Sequence, residues 1–105
     1  MPIEILELVC SKRPYKRFAI KIQEGEKQKT FHFGLKDGQT YIDHQDKQKR
    51  AAYSARHLGN KTEKRLIENK IPSPSLFSHD LLWGKSTDLF ENLIDLQKAF
   101  NEMAK

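Results

Sequence analysis

Asp46, Arg50, Tyr53 and His57 follow one another at spacings of four, three and four, which puts them on one stripe of any helix that carries them. A carboxylate, a guanidinium, a phenol and an imidazole in a row can do three kinds of work. The first is architectural. Asp46 can pair with Arg50, the Arg50 guanidinium can stack on the Tyr53 ring, and the stripe then locks its helix to the rest of the fold. Trp83, the single tryptophan, lies downstream in the apolar box Leu81-Leu82-Trp83-Gly84 and completes that set. The second is anion binding, in which Lys47, Lys49, Arg50, Arg56, His57, Lys61, Lys64 and Arg65 meet phosphates across two successive helices. His57 falls in the last helical turn, where the helix dipole favours its protonated form. The third is hydrolysis, in which His44, Asp46 and His57 serve a small metal-dependent nuclease or related enzyme.

The wider sequence favours the first two. It holds no HxH, HExxH or Cys/His cluster, so neither a metal nor a cofactor is expected. Ser73, Ser75 and Ser78 lie outside any nucleophile-elbow context, and no glycine-rich phosphate loop follows a strand. A protein that is not an enzyme is the expectation, with no catalytic residues assigned. The lone Cys10 excludes a disulfide framework and reads as a small core residue at a strand end.

At 105 residues the chain is expected to form one domain, residues 1–105, with a modest core. A net charge of +5 points to acidic partners, either nucleic acid or an acidic protein surface. No apolar run is long enough to cross a membrane, and Met1-Pro2-Ile3-Glu4 lacks the basic start of a signal peptide, so no membrane partner and no secretion are expected. The charge is also polarised. Lys12, Arg13, Lys16 and Arg17 form a first basic cluster and the two central helices a second, while Asp88, Glu91, Asp95 and Glu102 make the last helix mildly acidic. Head-to-tail association with another copy would suit that polarity.

The elements that must position these residues divide the chain into a mainly β part, residues 1–42, and a mainly α part, residues 43–105. Ile3, Ile5, Leu6, Leu8 and Val9 form a first apolar run. Phe18, Ile20 and Ile22 alternate with polar or small residues as a second strand, and Phe31 and Phe33 mark a third. Gly25 and Gly38 supply turns, and Tyr41-Ile42 reads as a short edge strand. Asp43 or Asp46 then caps a helix reaching Leu58, and Asn60 with Glu63 opens a basic helix. Ser73-Pro74 starts another. Leu81 and Leu82 cannot both face one side, and Trp83 reads as a buried plug. Ser86 caps a terminal helix whose Leu89, Leu93, Leu96, Phe100 and Met103 form one stripe. The expected fold is α+β: a small antiparallel meander of three or four strands, followed by three or four helices packed on one face.

Phe33-Gly34, Tyr41-Ile42-Asp43-His44, Asp46, Arg50, Tyr53, Arg56-His57, Leu81-Leu82-Trp83-Gly84 and Ser86 together resemble a family of short uncharacterised proteins from large DNA viruses of algae and amoebae. That family's pattern is an FG after a strand, then YxxHxD, RxxYxxRH, an LLW box and a terminal helix ending in Phe. The matching span runs from Phe31 to Phe100. Two segments depart from the pattern: Gly59-Asn60-Lys61-Thr62, where a Trp and an Asn are common, and Phe77-Ser78-His79-Asp80 ahead of the box. The resemblance implies a viral setting, in host cytoplasm or the virion, and brings no catalytic residues. The resulting expectation is a non-enzymatic viral accessory or structural protein, a minor component of the particle, with nucleic acid, other virion proteins or itself as partner. A sequence-independent nucleic-acid-binding module and the hydrolase above are the alternatives.

Overall fold

A computed structural model describes residues 2–103. Three strands, β1 (Ile3–Cys10), β2 (Lys16–Glu24) and β3 (Lys27–Leu35), form an antiparallel sheet in the order β1-β2-β3. Period-two alternation explains β2 and β3, because Ile20, Ile22 and Phe33 are fully buried while their neighbours in sequence face away. Gly25 opens the β2–β3 turn at φ +64°, a conformation that costs glycine little. In β1 the register slips between Ile5 and Glu7. This bulge lets Ile3 and Ile5, and then Leu8, all pack on the core, leaving Leu6 and Val9 exposed. Cys10, expected inside, is exposed.

Among the described residues five helices and one π-helical turn follow: α1 (Tyr41–His44), α2 (Lys47–Leu58), α3 (Lys61–Glu68), α4 (Pro74–Phe77), the π turn (Ser78–Leu82) and α5 (Leu89–Met103). The fold is α+β, as expected, with three strands and helices covering one face of the sheet. Leu76, Phe77, Leu81, Leu82, Leu96 and Phe100 lie over Ile20, Ile22 and Phe33 in a single core. Phe77 sits between the rings of Phe31 and Phe33, with centroids 5.4 and 5.9 Å away. Leu81 and Leu82 are both buried, because the π turn is enclosed on two sides. Gln97 ties α5 to the outer edge of β1. Its Oε1 accepts from Ile5 N at 2.7 Å and its Nε2 donates to Ile3 O at 2.8 Å, pairing groups that an edge strand would leave open.

Tyr41-Ile42 is helical, not an edge strand. The Asp43 carboxylate turns back to accept from Thr40 N at 2.8 Å and Thr40 Oγ1 at 2.9 Å, and this local cap prevails over the β preference of Tyr and Ile. The cap of α5 also differs from expectation. Asp88 accepts from Phe90 N and Glu91 N, while the Ser86 hydroxyl accepts from Asp88 N. Met103 is exposed rather than part of the packed stripe.

Arg17 fastens α1 to β2, its two Nη atoms donating to the two Asp43 oxygens at 2.6 and 2.7 Å. That guanidinium, helped by the Thr40 donors, holds the Asp43 carboxyl well below its usual range against the opposing effect of burial. A depressed folded pKa gives stability that is present in full above the unfolded carboxylate's value of about 4 and lost as pH falls toward the lower folded one. Asp43→Asn is therefore expected to cost about 1–2 kcal/mol at pH 7, a partly buried bidentate pair lying between exposed and buried cases. The wild-type and variant urea midpoints should converge as the pH is lowered below about 4. A gap of equal size at pH 7 and at about pH 2 would remove this account.

Candidate functional site

The helix that carries the stripe buries no residue. Ala51, Ala52 and Ala55 of α2 are exposed, so its small residues face solvent and not the sheet. The helix docks through polar and aromatic groups. Asp46 is its N-cap, Oδ1 accepting from Gln48 N at 2.9 Å and Lys49 N at 3.2 Å, which is why it does not pair with Arg50. The Arg50 guanidinium lies over Tyr41, not over Tyr53, at 5.5 Å from the ring centroid. Its Nε donates to the carbonyls of Trp83 and Gly84, at 3.2 and 2.8 Å. These carbonyls follow the π turn, at its negative end, so a cation there is doubly favoured.

Tyr53 stacks on Trp83 with centroids 4.3 Å apart and planes 5° from parallel. His57 closes on Tyr53 at 4.1 Å, and His44 lies 5.2 Å from Trp83. His44, Trp83, Tyr53 and His57 thus form a run of ring contacts beside α2. Trp83 is half-buried within it, not a fully buried plug. Burial, reinforced by the Glu63 carboxylate, pushes the Tyr53 phenol up to about 12, so it stays neutral in ordinary conditions. Arg56 takes the place expected for Arg50, its guanidinium 5.7 Å from the Tyr53 centroid.

The histidines are engaged locally. His57 Nδ1 meets the Glu63 oxygens at 3.0 and 3.1 Å, joining the end of α2 to the start of α3. His44 Nδ1 accepts from Asp46 N at 3.0 Å, which assigns the ring proton to Nε2. The His44, Asp46 and His57 side chains therefore have separate partners and do not converge on a common reacting point. No group of three or more His, Cys, Asp or Glu able to hold a metal occurs among the described residues.

A second array was not foreseen from the sequence. Ser54 Oγ lies 3.1 Å from His79 Nε2, His79 Nδ1 lies 2.8 Å from Asp80 Oδ1, and Lys70 Nζ donates to Asp80 Oδ2 at 2.6 Å. The order matches a catalytic relay, but Ser54 is midway along α2, where neighbouring amides are spent in the helix and none is free to hold an oxyanion. The array acts as a clasp between α2 and the π turn. The adjacent His79 and Asp80 are visible in the sequence. Their meeting with Ser54 depends on how the helices pack.

The basic residues separate into two groups. Arg50 and His57 are used inside the fold, and Lys64 faces Glu68 at 3.8 Å. Lys47, Lys49, Arg56, Lys61 and Arg65 are exposed on α2 and α3. Lys49 and Arg56 also border a concavity built of two neighbouring cavities, about 410 and 280 Å³, which share Gln39, Tyr53, Arg56 and Trp83. Lys16, Leu35 and Leu82 line the larger one and His44 and Lys49 the smaller, and no lining residue of either is acidic. Lys16 and Gln39 escaped notice as partners of α2 because only the β2–β3 hairpin and the turn after it bring them there.

The fold and site define a small α+β domain with a basic cleft walled by aromatic ring contacts. Over residues 6–57, just under half its length, the chain is similar to a family of unknown function (DUF5754). That span runs from the β1 bulge through the stripe on α2 and stops before Trp83. No curated protein and no solved structure matches the chain.

Proposed function

We propose that this protein is a non-enzymatic accessory protein of viral type that works by binding nucleic acid through its phosphates, without reading base sequence. The observation that carries the reading is the cleft where Lys16, Lys49 and Arg56 gather with no acidic residue in its lining. Lys47, Lys61 and Arg65, exposed on the same two helices, add positive charge for a strand running past it. The motif resemblance supports the viral setting. Presence or absence in purified particles decides between an accessory protein and a structural component.

The test is a salt titration of a labelled oligonucleotide by fluorescence anisotropy. With three to four phosphates neutralised, the logarithm of affinity should fall against that of salt with a slope of about −2 to −3 for a single strand. Lys49→Gln with Arg56→Gln should flatten the slope by about 1.4, since each contact contributes about 0.7. Undetectable binding at low salt, or binding indifferent to salt, would overturn the reading.

A further inference from the structure

A cleft that only contacted phosphates would need no apolar wall, yet this one has one. The larger cavity is lined by Leu35, Tyr53 and Trp83 as well as by the cations Lys16 and Arg56, with the buried Leu82 at its floor. Leu35 is 70% exposed at the end of β3, at the rim of the cavity and beside the exposed Tyr15. The ring contacts fix which parts of the aromatics a ligand can meet. Tyr53 lies between Trp83 and His57, and Trp83 meets both Tyr53 and His44, so their faces are largely taken within the protein. Ring edges are left for the cavity. Those edges carry the positive side of the aromatic quadrupole and suit the π-face of another planar ring.

The ligand implied by these walls is planar and apolar at one end and anionic at the other. About 410 Å³ falls within the range of sites that hold small molecules, and so has room for one nucleotide. The side-chain amide of Gln39, shared by both cavities, is a polar group able to meet a base edge. The smaller cavity continues past Arg56 to Lys49, which places a third cation where the strand's next phosphate would run. A base paired in a duplex cannot enter such a space without being unstacked, whereas a base in a single strand is free to do so.

We propose that the cleft between α2 and the β3–α1 loop is a single-strand pocket, which takes one unpaired base against Leu35 and the edges of Tyr53 and Trp83 while Lys16, Arg56 and Lys49 hold the flanking phosphates. This rests on the nucleic-acid reading above and adds to it the form of the nucleic acid and the place of the base. Trp83 is the chain's single tryptophan, so its emission reports on this cavity.

The experiment titrates the full chain with a single-stranded oligonucleotide and, separately, with the duplex formed by adding its complement, at one salt concentration. Trp83 emission and the anisotropy of a labelled strand are both read. The single strand should quench Trp83 and bind up to about tenfold more tightly than the duplex, the scale of one edge-to-face ring contact. Leu35→Glu puts a carboxylate at the mouth of the cavity from an exposed position the core does not use. It should weaken single-strand binding by more than it weakens duplex binding, because both forms meet the added charge but only the single strand also loses the base contact. Circular dichroism of that variant, matching wild type, confirms that it folds. Equal affinity for both forms with unchanged Trp83 emission would overturn the pocket and leave the phosphate-binding reading standing. Single-strand preference that survives Leu35→Glu with Trp83 emission undisturbed would also overturn the pocket. Binding of neither form would overturn both.

Discussion

Gly84→Ala is expected to destabilise the protein by about 3 kcal/mol or more. Gly84 is buried just beyond the π turn. A Cβ there would overlap the carbonyl oxygen of Asp80 and come within 2.7 and 2.8 Å of Cγ and Oδ1 of Asn92. Neither neighbour can yield freely. The Asp80 carbonyl belongs to the π turn that carries Leu81 and Leu82 into the core. Asn92, only 2% exposed, donates through Nδ2 to Leu81 O at 3.0 Å and Ser86 O at 2.8 Å and accepts from Ser86 N at 2.9 Å. Displacing it would leave buried backbone groups without partners, at about 1–3 kcal/mol each. In a domain near this size each kcal/mol lowers Tm by about 4–8 °C, so a fall of at least about 12 °C is expected by calorimetry. A fall of only a few degrees would show that the π turn can shift and that the contact is no constraint.

The same segment shows where the sequence stops being informative. Leu81-Leu82-Trp83-Gly84 is plainly apolar, and two adjacent leucines plainly cannot share one helical face. What the sequence does not contain is the extra residue per turn that the π geometry introduces, because Trp83 N reaches back to Ser78 O only when both sides are packed. The β1 bulge is similar. Ile5-Leu6 breaks the alternation in plain view, yet which of the two turns inward depends on Ile22 and Ile20 across the sheet. Local chemistry was more legible. Ser73 caps α4 with Pro74 at its first position, and Asn60 accepts from Thr62 N and Glu63 N. Asn60 and Glu63 form only half a capping box, since the Glu63 side chain goes to His57.

The cleft was legible only in part. Helical spacing aligns Arg50, Tyr53 and His57 on one side of α2, and the positive charge is visible in the composition. Spacing says nothing about what lies opposite. Arg50 was expected to meet Asp46 and Tyr53, its neighbours in sequence, and instead bonds carbonyls 33 and 34 residues away. Asp46 was unavailable because the amides of the first turn compete for its carboxylate at no cost in loop closure. Arg56 then reaches Tyr53 from the exposed side and becomes part of the cleft wall. One local cap therefore decides which arginine is architectural and which remains on the surface.

That division leads to the second large effect. Arg50→Met should cost about 2–3 kcal/mol and loosen α2 in particular, because this helix has no buried side chain to hold it and twelve residues make a marginal helix alone. Arg50 supplies its charged anchor, while the Tyr53–Trp83 stack, Ser54 with His79, and His57 with Glu63 remain as neutral or solvent-screened supports. Arg50→Lys should rescue little, since an ammonium lacks the Nε donor set along the stem that reaches the two carbonyls together. Hydrogen exchange followed by mass spectrometry separates local from global loss. Peptides from α2 should exchange about thirtyfold or more faster in Arg50→Met, whereas β2, with Ile20 and Ile22 fully buried, should retain most of its protection. Lys49→Gln, an exposed change on the same helix, should alter neither by more than about 0.5 kcal/mol. Because α2 carries Arg56 and Lys49 into the cleft, the nucleic-acid binding proposed for it should also weaken in the loosened variant, although neither cation is lost. Unchanged exchange in α2 would mean that the ring stack alone holds the helix, and that the Arg50 bonds to Trp83 and Gly84 contribute little to its docking.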